Sequence, residues 1–97
     1  MNSPKNKSNK GVIIMSNEPF VTIDLHGLRQ DEAIKIIDNA IKNVGPGTYQ
    51  LQLVHGYHRG TNLRNMIYDW YQGHPKIKRV IPGDNQGVTI LVMKELF

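Results

Sequence analysis

The sequence predicts an α/β (α+β) two-layer sandwich, β-α-β-α-β-β, with a four-stranded mixed sheet and two helices on one face. Three observations carry that expectation. Short runs of alternating or continuous apolar residues are separated by two longer segments whose apolar residues return every three or four positions. Each of the first two strand-like runs leads into a helix-like one, so a crossover is needed and the first two strands are expected to be parallel. The last two strands are joined by about six turn-forming residues, which makes them antiparallel.

The elements follow in order. "FVTIDL", 20–25, alternates Val21, Ile23 and Leu25 with Thr22 and Asp24 and reads as a strand. After "HGL", residues 29–44 read as a helix, with Ala33, Ile37, Ala40 and Val44 in one stripe widened by Ile34, Ile36 and Ile41. Asp31 and Glu32 stand in its first turn, where negative charge is favourable, and "GPG" ends it. "TYQLQLVH", 48–55, is the second strand, with Tyr49, Leu51 and Leu53 on one face. A second helix then carries Leu63, Met66, Ile67 and Trp70 as its core stripe, with Thr61 placed to cap it and Gly73 and Pro75 to stop it. "IKRVI" is the third strand, "PGDNQG" a turn, and "VTILVM", 88–93, is apolar enough for a central strand.

A chain of 97 residues makes one domain, expected over 19–97 behind a flexible basic leader, 1–18. The net charge of +4 belongs largely to that leader: without residues 1–14, nine basic side chains face eight acidic ones. A basic pI is therefore a weak argument for a nucleic-acid partner. There is no cysteine, which excludes disulfides, thiol chemistry and cysteine-bound zinc. No apolar run approaches the roughly 18 residues of a membrane span, and the N-terminus lacks a signal-peptide core. These features fit a cytoplasmic protein.

Chemistry concentrates in two turns, "DLHG" at 24–27 and "VHGYHRG" at 54–60. If the first two strands are parallel, His26 and His55 close them at the same carboxyl end, where open α/β sheets bind ligands. Two helix N-termini open there, and each favours an anion. Strand periodicity points Asp24 and His26 the same way, so Asp24 could orient His26, take its proton, or hold Mg²⁺ or another divalent cation. Gly27, Gly56 and Gly60 permit close backbone approach or positive φ. Arg29, Arg59, Arg64 and Thr61 could hold a phosphate, and Tyr57 and His58 could stack or hydrogen-bond near a base or sugar. No HExxH or P-loop pattern is present.

"DLHG", "HG…G…LR", "HPKIKRVIPG" and "GVTILVM" together resemble the Smr (small MutS-related) domain over roughly residues 20–94. The resemblance implies a fold similar to the C-terminal domain of bacterial translation initiation factor three. It also implies a nucleic-acid partner: several members are nicking or structure-dependent endonucleases on DNA, and others cleave RNA. The family's first motif falls on Leu25, His26 and Gly27, with Asp24 before them. Its second falls on His55, Gly56 and Gly60, and its helix-opening Leu-Arg on Leu63 and Arg64. Here Tyr57 takes the family's basic position and His58 its glycine position, the loop is one residue longer, and Arg29 replaces a usual cap.

Three functions follow as expectations. The first is a phosphodiesterase in which one histidine activates water or a ribose hydroxyl and the other protonates the leaving oxygen. The second is a DNA- or RNA-binding module without catalysis. The third is a small-molecule phosphate or nucleotide enzyme, for which a pocket of roughly 300 Å³ is the low end.

Overall fold

A computed structural model describes residues 18–57 and 60–95. All but the last residue of the expected leader lie outside them, as do His58 and Arg59. The chain runs β1 (Phe20–Asp24), α1 (Gln30–Asn43), β2 (Gln50–Val54), α2 (Gly60–Tyr71), β3 (Arg79–Pro82) and β4 (Val88–Val92). The four strands form one mixed sheet in the order β1-β2-β4-β3. β1 and β2 are parallel, while β4 is antiparallel to both β2 and β3.

Two-residue periodicity decides which side chains meet the helices. Val21 and Ile23 of β1 pair in register with Leu51 and Leu53 of β2, which face Leu91 and Thr89 of β4. Val80 of β3 completes the row beside Leu91. These apolar residues join Ala33, Ile37, Ala40 and Ile41 of α1 and Leu63, Met66, Ile67 and Tyr71 of α2 in one core. The alternate strand positions include the exposed Phe20 and Thr22 and the half-buried Gln50 and Gln52. β4 lies inside the sheet, in agreement with its nearly continuous apolar run.

Three local expectations are corrected. Trp70 is 58% exposed, and Tyr71, at 1%, takes its place in the core. Leu63, Ile67 and Tyr71 form an i, i+4, i+8 row, which runs obliquely around a helix and carries the buried face sideways toward α1. There the Tyr71 hydroxyl donates to Asp38 at 2.7 Å, and burial, reinforced by that bond, pushes the phenol's pKa well up. Second, α2 begins at Gly60, so Thr61 lies inside the first turn rather than at the cap. Third, β3 starts at Arg79 rather than Ile77. Residues 74–77 form a turn in which the Ile77 N–H donates to His74 O, and His74 Nδ1 accepts from the Lys76 N–H. Pro82 is tolerated because β3 is an edge strand. Among the described residues, no helix is long and apolar enough to cross a membrane.

Candidate functional site

Asp24 and Val54 are register partners at the ends of β1 and β2, so the two histidine turns leave the sheet at the same level. The Leu25 N–H still donates to Val54 O at 2.8 Å, which carries the pairing one residue further. Gly27 and Gly56 have φ of +79° and +90°, values that disfavour any residue with a Cβ. The turns abut: a Cβ on Gly56 would stand 3.6 Å from the His26 Cβ, in ordinary contact. Glycine is required at 56 by its backbone angle and not by lack of room.

In the first turn, the Asp24 carboxylate reaches forward two residues. Its Oδ1 accepts the His26 backbone N–H at 3.1 Å and lies 2.5 Å from His26 Nδ1. A carboxylate can only accept, so Nδ1 carries the hydrogen, and in the neutral imidazole Nε2 keeps the lone pair. The pair lies at the surface, with the imidazole 58% and the carboxylate 47% exposed. This is the arrangement in which a carboxylate fixes the tautomer and orientation of an acid–base histidine.

His55 stands differently. It is 2% exposed, and both ring nitrogens are engaged within the protein. Nδ1 lies 3.0 Å from Gly56 O and Nε2 2.8 Å from Thr89 Oγ1. A carbonyl cannot donate, so Nδ1–H donates to it and Nε2 accepts from the Thr89 hydroxyl. Burial pushes the imidazole below its ordinary value of 6.5; the Gly56 carbonyl works against that shift and the Arg64 charge adds to it. The backbone N–H groups of His55 and Gly56 both donate to Gly87 O, at 2.9 and 3.1 Å, which ties this turn to the entry of β4. Thr89 and Gly87 were not singled out from the sequence. Thr89 carried a usable signal: a hydroxyl inside an otherwise apolar central strand must find a partner.

Between the N-termini of α1 and α2 lies a cavity of about 260 Å³ lined by Gly27, Leu28, Arg29, Gln30, Asn62 and Leu63. Arg29 is the α1 N-cap residue. Its backbone N–H donates to the Glu32 carboxylate at 2.9 Å, and its guanidinium lies 3.4 Å from Asp31 in an exposed pair. Thr61 and Arg64 are exposed on the first two turns of α2, and Tyr57 is 59% exposed beside Gly56. Among the described residues, no three His, Asp or Glu side chains are grouped to hold a metal ion.

The Smr domain family model matches residues 23–94. The chain is similar to the protein named endonuclease MutS2 from Clostridium botulinum, 31% identical over 97% of this chain. It is also similar to the protein of the same name from Caldicellulosiruptor bescii, 29% identical over 91%. The chain spans only 12% of the length of each of these curated relatives. Among solved structures it is similar to the Smr domain of Thermus thermophilus MutS2. The TM-score is 0.67 and the identity 25%, covering 77% of this chain and 99% of that one.

Proposed function

Because this chain belongs to the Smr domain family, we propose that it binds a nucleic-acid strand at the paired histidine turns and cleaves a phosphodiester bond there. The name endonuclease, carried by the MutS2 relatives, supports this reading. The observation that carries it is the Asp24–His26 pair, a histidine held in one tautomer at the surface, where two helix N-termini open. The helix ends and Arg64 attract the phosphate. Nε2 of His26 takes a proton from water, or from the ribose 2′-hydroxyl in RNA, as that oxygen bonds to phosphorus. The bond from phosphorus to the leaving oxygen breaks, and that oxygen takes its proton from water. Asp24 stabilises the imidazolium. His55, buried and doubly bonded, ties Gly56 to Thr89 instead of moving protons.

A second reading is binding without cleavage. It is favoured by that same burial of His55, which leaves the site, among the described residues, one exposed histidine where a two-histidine mechanism needs two. The test is incubation with end-labelled single-stranded, duplex and branched DNA and hairpin RNA, with and without Mg²⁺. Wild type is expected to cut at least one of them, and His26→Ala to lose about 100-fold or more in rate, the usual contribution of a general base. Salt-dependent retention of the oligonucleotides without any cutting overturns the catalytic reading in favour of the second.

A further inference from the structure

The positive charge of the described fold is not gathered at the histidine turns. Eight Lys and Arg and eight Asp and Glu lie among the described residues, a net of zero. Among the described residues, the two arginines at the turns, Arg29 and Arg64, share that end with Asp24, Asp31 and Glu32. At the opposite end of α1, a cavity of about 360 Å³ has Lys42, Lys76, Lys78 and Lys94 among its lining residues and, among the described residues, no carboxylate. Among the described residues none of the four is in an ion pair. Lys94 donates to Pro46 O and stands 6.0 Å from the Tyr49 ring centre, so its ammonium is held in place while its other N–H groups can serve a ligand.

Two features oppose a phosphate here, and both are smaller than the lysine charge. The C-terminus of α1 carries roughly half a negative charge, against four ammonium groups. Asp38 lines the adjoining cavity with Lys42 and Lys76, but its carboxylate accepts the Tyr71 hydroxyl at 2.7 Å. Lys35, two helical turns before Lys42 on the same face of α1, extends the positive charge back toward the histidine end.

We propose that this lysine-lined cavity is a second phosphate site, which grips the nucleic-acid backbone about one helix length away from the histidine turns. The inference rests on the nucleic-acid reading of the first site and adds to it a footprint. The 14 residues of α1 separate the two ends by about 21 Å at 1.5 Å per residue. At 3.4 Å per nucleotide along a duplex strand, that is about six nucleotides. A strand shorter than this reaches one site; a longer one reaches both.

The test is binding of a 4-nucleotide and a 24-nucleotide form of one substrate across a salt series, with melting temperatures recorded in parallel. Wild type is expected to prefer the longer strand. Lys76→Gln/Lys78→Gln is expected to lose that preference and to flatten the plot of log affinity against log salt by about two, one for each lysine that no longer meets a phosphate. Binding of the short strand and the melting temperature should not change. Lys76→Arg/Lys78→Arg should restore the slope. If the glutamine pair binds the long strand with wild-type affinity and slope while Arg64→Ala weakens it, the second site is wrong and the first stands. If wild type binds neither strand, both fall.

Discussion

His26 and His55 each close a strand and precede a glycine of positive φ, yet one ring stands in solvent against a carboxylate and the other is sealed against β4. The cause is register. Val21 pairs with Leu51 and Ile23 with Leu53, so the next position inward brings Leu25 beside His55. His55 continues the buried row of β2, while His26 continues the outward row of Thr22 and Asp24. A shift of one residue between two similar motifs leaves one histidine ring in solvent and seals the other in the core.

The largest stability effect should separate them directly. His55→Ala removes two hydrogen bonds and leaves the buried Thr89 hydroxyl without its acceptor, a cost of about 1–3 kcal/mol. For a domain of this size each kcal/mol lowers the melting temperature by about 4–8 °C. His26→Ala, at an exposed position, should stay within about 0.5 kcal/mol of wild type. Equal melting temperatures for the two variants would erase the distinction.

The smaller effect is on pH dependence. Because burial lowers the pKa of folded His55, the unfolded chain binds its proton first as pH falls below 6.5. Between 6.5 and the lower folded value the unfolded state holds more protons, so wild-type stability falls as pH falls. His55→Gln lacks that term. The gap in urea midpoint between the two proteins is expected to narrow from pH 7.5 to pH 5.5, and a gap that widens would mean that folded His55 is charged.

Much of this was legible in the sequence. Alternation in "FVTID" and "QLQLV" and the three-and-four spacing of Ala33, Ile37 and Ala40 gave the elements, and the run "VTILVM" marked an interior strand. The order β1-β2-β4-β3 was not legible, because no local pattern says which strand β4 will join. Trp70 and Tyr71 exchanged roles because helical periodicity cannot show that Asp38, on another helix, waits for a hydroxyl. At the site, the two-residue period that placed His26 with Asp24 also placed His55 with Leu51 and Leu53. That phase could have marked His55 as buried, but its partner Thr89 lies 34 residues away and only the folded sheet brings them together.

The most direct measurement is the single-turnover cleavage rate of His26→Ala and His55→Gln, each assayed well below its own melting temperature. The proposed division of labour requires that His26→Ala melt like wild type and cut about 100-fold or more slowly. It requires equally that His55→Gln melt earlier yet cut at nearly the wild-type rate while folded. A folded His55→Gln protein that cannot cut, beside a His26→Ala protein that can, would contradict it.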